Sequence, residues 1–80
     1  MKYLFTDYFE NKVLAKRPYL TKEMCIAVVE APLRREVQDD GKRVRFWAQV
    51  SAIDGRYLRV ITLEDERTIH NAFPDRRFRP

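Results

Sequence analysis

Along this chain the spacing of apolar residues changes once. Up to residue 32 they recur at helical spacing, and from Leu33 onward they alternate with polar residues at a period of two. Residues 2–5 (Lys-Tyr-Leu-Phe) read as a short edge strand. Asp7 then reads as a helix N-cap, with Glu10 three residues on at capping-box spacing. Phe9, Val13 and Leu14 follow on one face through Lys16, and Pro18 stops the helix. Lys12, Lys16 and Arg17 suit its negative C-terminal end. Thr21 is a second N-cap; Met24, Cys25, Val28 and Val29 form the apolar stripe behind it, and Pro32 ends that helix.

In the second half Val44, Phe46, Ala48 and Val50 alternate with Arg43, Arg45, Trp47 and Gln49. This is the pattern of a strand with one buried face and one polar face. Leu58, Val60 and Thr62 alternate in the same way with Tyr57, Arg59, Ile61 and Leu63. A last strand covers residues 67–73, with Ile69 and Phe73 inward and Thr68 and His70 outward. The fold class is therefore α+β: a short N-terminal strand, two helices, then a meandering antiparallel sheet of three to four strands. One domain spans residues 1–80, and residues 74–80 form an extended basic tail.

Turn chemistry sets an expected register. A type I′ turn at Asp40-Gly41 pairs Val37 with Val44 and Leu33 with Ala48. It puts Glu36 opposite Arg45 and Arg34 opposite Trp47, and turns Arg35 inward near an edge with no partner legible in the sequence. A three-residue loop, Ile53-Asp54-Gly55, with Gly55 left-handed, pairs Val50 with Leu58 and Ala48 with Val60. It sets Gln49 opposite Arg59 and Trp47 opposite Ile61. A four-residue loop at 64–67 then pairs Ile61 with His70.

Composition narrows the class. Eighty residues with 45% apolar content and six Gly plus Pro make one small globular domain, not a disordered chain. The apolar run at residues 26–29, even with Met24 and Cys25 before it, is far too short to span a bilayer. The N-terminus meets acidic residues at once, which argues against a cleaved signal peptide. A lone cysteine, Cys25, cannot form an internal disulfide, and a cytoplasmic location is expected. Its place on a helix stripe reads as a structural thiol. One His and one Cys cannot build a structural zinc site, two hairpin glycines cannot build a phosphate loop, and no cofactor is implied.

Charge adds more. Residues 1–40 hold seven Lys/Arg against seven Asp/Glu, whereas residues 41–80 hold nine against five, eight of the nine being arginine. The net +4 therefore sits in the strands and the tail. Guanidinium forks match phosphate oxygens, so a polyanionic partner or an acidic protein partner is expected. The alternation gathers Arg45, Arg59, Trp47, Tyr57 and His70 on the face away from the helices, with Arg34 beside Trp47 at cation–π distance. Arginines hold phosphates, exposed aromatic rings stack on bases, and a histidine moves a proton near neutral pH. These are the parts that RNA cleavage needs: a base for the 2′-hydroxyl and cations for the transition state. An ordinary solvated sheet face carries the same residue types.

The order of elements, with Thr6-Asp7-Tyr8-Phe9 opening the first helix, Leu20-Thr21-Lys22-Glu23 the second, and the segments Gly55-Arg56-Tyr57-Leu58-Arg59-Val60-Ile61-Thr62 and Thr68-Ile69-His70-Asn71-Ala72-Phe73, resembles the RelE/ParE superfamily of bacterial toxins. The likeness is to BrnT-like members and related small domains. It covers nearly the whole chain as a pattern of elements, with no single diagnostic motif. The resemblance implies a cytoplasmic bacterial protein, neutralised by an antitoxin-like partner and acting on RNA, in some relatives on the ribosome. One branch instead poisons DNA gyrase. It implies His70, Arg45 and Arg59 as the working residues, with Arg76 or Arg77 near the end; on the reading of the sheet face, Arg34, Trp47 and Tyr57 are expected to bind nucleic acid, with Arg76 and Arg77 of the tail beside them. Tyr8 stands where related small domains often carry histidine, and the tail offers no evident catalytic tyrosine. The leading expectation is a metal-independent endoribonuclease. The alternative is a non-catalytic binding module of the same fold for an antitoxin-like protein or nucleic acid.

Overall fold

Thr6 starts the first helix: its hydroxyl accepts from the Phe9 N–H at 3.1 Å and its carbonyl from the Glu10 N–H at 3.1 Å. The cap thus lies one residue before the expected Asp7, which falls inside the first turn. These features come from a computed structural model, which describes residues 2–38 and 40–80. The helix, α1, runs over residues 7–16, π-helical through Phe9–Val13 and α-helical at Leu14–Lys16. The second helix, α2, is Lys22–Glu30, and Thr21 caps it as expected by accepting from the Met24 N–H at 3.1 Å.

The strands are β1 (Leu4–Phe5), β2 (Arg34–Val37), β3 (Arg43–Val50), β4 (Arg56–Leu63) and β5 (Thr68–Pro74). They form one five-stranded sheet in the order β1-β5-β4-β3-β2, mixed because β1 runs parallel to β5. The α+β class therefore holds, but β1 joins the meander as a fifth, parallel strand at its far edge. Both helices pack on one face. Phe9, Val13, Cys25 and Val28 meet Phe46, Leu58, Val60, Ile69 and Ala72 there. Burial alone pushes the Cys25 thiol up to about 12, so it is an inert core group.

The β2–β3 register is the expected one, with Val37 opposite Val44 and Arg34 opposite Trp47. The expected Asp40-Gly41 turn involves Asp39, which lies outside the described residues. The described turn bond runs from the Gly41 N–H to the Gln38 carbonyl at 2.8 Å, with Gly41 at φ +72°. Arg35 has a partner the sequence did not reveal. Its Nε and Nη2 donate to the two oxygens of Glu66, at 2.7 and 2.6 Å, from the turn after β4.

Two registers differ from expectation. Between β3 and β4, Val50 pairs with Arg56 and Ala48 with Leu58, a slip of two residues. The loop is longer: Ser51–Ile53 makes a 3₁₀ turn, and Asp54 and Gly55 both take left-handed φ, 62° and 71°. A slip of two leaves every side chain on its expected face, but sets Trp47 opposite Arg59 and Gln49 opposite Tyr57. Between β4 and β5, Thr62 pairs with Ile69 but Ile61 pairs with Asn71, so His70 is the extra residue of a β-bulge. The bulge reverses the parity beyond it. Ala72 therefore enters the core, and Phe73, expected inward, faces the other way opposite Arg59.

Candidate functional site

Trp47, Arg45 and Arg43 leave β3 on the face away from the helices, as the alternation requires, and Arg59 and Tyr57 leave β4 on the same face. That face is not open. The chain turns after Pro74 and folds back across it, so residues 75–80 cover part of the sheet instead of extending from it. The Asp75 N–H donates to the Tyr57 carbonyl at 2.9 Å, which carries the β4–β5 ladder one residue further. Asp75 Oδ1 accepts from the Arg77 N–H at 3.0 Å and closes the turn. Phe78 is thereby laid on the sheet, only 6% exposed. Its ring stacks on Trp47, with centroids 5.2 Å apart and planes 15° apart, and meets Tyr57 at 5.1 Å. The Arg34 guanidinium lies 4.9 Å from the same ring.

Trp47 is therefore buried, at 3% exposure, although it lies on the helix-distal face. The expectation of a ring free to stack on a base is corrected: the chain's own Phe78 takes that place. Trp47 Nε1 donates to Asp75 Oδ2 at 2.9 Å, and Arg59 donates to the same oxygen from Nε and Nη2, at 3.1 and 2.9 Å. Burial works against ionisation of Asp75. The bonds from Trp47, Arg59 and the Arg77 N–H, with the Arg59 charge, outweigh it and hold the carboxyl below its ordinary value. Arg59 also lies 5.2 Å from the Trp47 ring and 5.0 Å from the Phe73 ring. Its guanidinium is thus committed to holding the tail.

Beside this cluster runs an open groove of about 330 Å³. Five arginines line it, Arg34, Arg45, Arg59, Arg77 and Arg79, against two carboxylates, Glu36 and Asp75, with Trp47 and Phe78 as the floor. Arg45 Nη1 lies 3.8 Å from Glu36 and its side chain is about one-third exposed. Of the residues expected in the site, Arg34, Arg45, Trp47, Arg59 and Arg77 come together here. Tyr57 and Arg76 line a smaller cleft of about 150 Å³ on the other side of Phe78.

His70 is not among them. It lies on β5, beside β1 and two strands from Arg45, where its Nδ1 lies 3.0 Å from the Thr6 hydroxyl and its ring stacks on Tyr8 at 5.0 Å. Thr6 accepts from the Phe9 N–H and keeps a second lone pair and its own proton, so its hydroxyl either accepts from Nδ1–H or donates to a bare Nδ1, and both ring tautomers satisfy the contact. Burial first, and the positive charge of Arg43 second, lower the His70 pKa below its ordinary value of 6.5. Both effects favour the neutral ring. Among the described residues Nε2 has no protein partner and is not buried, so it meets solvent.

Sequence reasoning missed Asp75, Phe78 and Arg79 in the groove, and Thr6 and Tyr8 beside His70. The tail did carry a signal: one phenylalanine among arginines, preceded by an Asp two residues before an N–H it can bind, marks an anchored turn. Among the described residues no three His, Cys, Asp or Glu side chains gather as a metal would need, and no helix is long and apolar enough to cross a membrane. Comparison with protein-family models, with curated proteins and with solved structures finds no match for this chain.

Proposed function

We propose that this chain binds RNA by its phosphate backbone, in the arginine groove beside the folded-back tail. The observation that carries the reading is the excess of guanidinium groups: five against two carboxylates around one groove. Asp75 engages Arg59 and Glu36 lies beside Arg45. Arg34, Arg77 and Arg79 have no carboxylate partner among the described residues. Guanidinium forks bind phosphate oxygens bidentately. Because Trp47 and Phe78 are buried against one another, little ring surface is left to read bases, so recognition is of the backbone and tolerant of sequence. The resemblance to RelE/ParE toxins supports RNA as the polyanion and an antitoxin-like protein as the natural competitor for the face.

The test is a fluorescence-anisotropy titration with a labelled single-stranded RNA at several salt concentrations. Each phosphate engaged contributes a slope of about −0.7 in log K against log salt. Three to five engaged arginines therefore give roughly −2 to −3.5. A flat response would sink the RNA reading and leave a protein partner.

RNA cleavage is a second reading, favoured by one observation: His70 is held at Nδ1 by Thr6, has a solvent-reachable Nε2, and is shifted toward its neutral form by burial and Arg43. In that reading the base is His70 in the tautomer that donates Nδ1–H to Thr6 and leaves the Nε2 lone pair toward solvent, and the nearby cation is Arg43, while the groove arginines hold the strand. An intact RNA after prolonged incubation with folded protein would remove it.

A further inference from the structure

The sheet ends at β2, and that edge is bare: all four residues of Arg34–Val37 are exposed, Val37 at 50%, and Leu33 just before them is 58% exposed. Gln38 donates its N–H to the Arg43 carbonyl at 2.9 Å. In an antiparallel ladder inward and outward groups alternate. The even residues of β2 therefore turn their backbone groups toward β3, while Arg35 and Val37 turn theirs toward solvent.

We propose that this edge pairs with β2 of a second copy of the chain, antiparallel about a two-fold axis centred on Arg35. The pattern of the strand is self-complementary in that register and no other near it. Arg34 falls opposite Glu36 of the other copy, Glu36 opposite Arg34, and Leu33 opposite Val37, twice each. Moving the centre to Arg34 would oppose Arg34 to itself, and moving it to Glu36 would oppose Glu36 to itself; both place like charges directly across a ladder. The chosen centre opposes Arg35 to itself, but each Arg35 already has its charge matched by the bidentate pair to Glu66. The outward backbone groups of β2 are those of Arg35 and Val37, so the central ladder bonds form with the same centre, while the Leu33 N–H stays with the Trp47 carbonyl at 2.7 Å and adds no bond of its own. Glu36 lies 3.8 Å from Arg45 through one oxygen and has its other oxygen for a second guanidinium.

A two-fold axis perpendicular to the sheet keeps each face on its own side. Two five-stranded sheets become one, and both arginine grooves open on the same side of it. Leu33 and Val37 are covered by their counterparts, which accounts for two of the large apolar side chains left in solvent on the single chain.

Sedimentation velocity on the whole chain, over a concentration series, is the test. The wild-type protein should show a concentration-dependent dimer. Arg34→Glu and Glu36→Arg should each weaken it at least about tenfold, since each turns two attractive pairs into repulsive ones. An equimolar mixture of the two variants should form a heterodimer, because each substituted position then faces an opposite charge. Val37→Lys, at an exposed position, should be monomeric with an unchanged circular dichroism spectrum. A wild-type protein that stays monomeric at about 0.5 mM, far above a micromolar constant, would overturn the proposal. So would a dimer indifferent to the single substitutions, or variants that fail to pair when mixed.

Discussion

Asp75 receives Trp47 Nε1 and two nitrogens of Arg59 on a single carboxylate oxygen, all within 3.1 Å. Its lowered pKa ties that contact to pH. Between the folded value and the ordinary 3.8, the unfolded chain binds the proton more readily, so stability rises with pH through that window and is in full force above it. The tail should therefore loosen as pH falls below about 4, read as a red shift of Trp47 fluorescence. Asp75→Asn should weaken the tail at neutral pH and flatten that acid transition. His70 behaves in the opposite chemical sense but with the same slope. Its pKa is lowered from 6.5, so the unfolded chain takes up the proton first and stability falls as pH drops below 6.5. Urea midpoints of His70→Gln, measured from pH 7 to 5, should fall less than those of the wild type. Cys25, with its pKa near 12 and no exposure, should resist thiol reagents until the chain unfolds.

At the scale of elements, the tail after β5 is a structural part of the sheet. Phe78 covers Trp47 and Tyr57, so Trp47→Ala should cost about 3–5 kcal/mol, close to the cost of Phe46→Ala in the main core. Both are to be compared by chemical denaturation. Phe78→Ala should cost less, about 2–3 kcal/mol, because the freed tail returns to solvent and regains entropy. It should also shift Trp47 emission to the red without changing the far-ultraviolet circular dichroism. An unshifted emission maximum would mean that Phe78 does not cover the ring in solution. The bulge at His70 is the other decisive element, since it moves one histidine to the N-terminus of α1 and turns Phe73 onto the arginine face.

At the scale of the molecule, four of the nine Lys/Arg in residues 41–80 line one groove together with Arg34. Arg45 and Arg77 are the informative residues for RNA binding. Arg59 is not, because two of its nitrogens already serve Asp75. Arg45→Ala should make the salt slope of RNA binding shallower by about 0.7 while leaving the thermal transition in place. Arg59→Ala should lower stability as well as binding. Equal effects of the two substitutions on binding alone would contradict this division of roles. His70→Ala belongs to the cleavage reading: loss of RNA cleavage by about 10²–10⁴-fold in a folded variant would support it, and undiminished cleavage would remove His70 from the chemistry.

Much of this molecule is written in local order. Thr21 caps α2 and the two prolines bound the helices because capping and φ restriction act over a few residues. The faces of β3 and β4 follow from a period of two, which put the arginines and Trp47 together on the helix-distal side before any register was known. A slip of two residues between β3 and β4 preserves that period, so the hydrophobic pattern could not tell Trp47 opposite Ile61 from Trp47 opposite Arg59. The loop geometry of Ser51–Ile53, Asp54 and Gly55 decided it. The bulge was illegible for a related reason: one unpaired residue costs little locally, and its placement depends on which of Ile69, Ala72 and Phe73 best fill a core shaped by both helices. The fate of the tail is the most tertiary feature of all. Residues 74–80 read as an extended basic tail, and only the coincidence of a buried Trp47 nitrogen, a half-buried Arg59 fork and an uncovered aromatic face, brought together by three strands, makes Asp75 and Phe78 worth the entropy of ordering them.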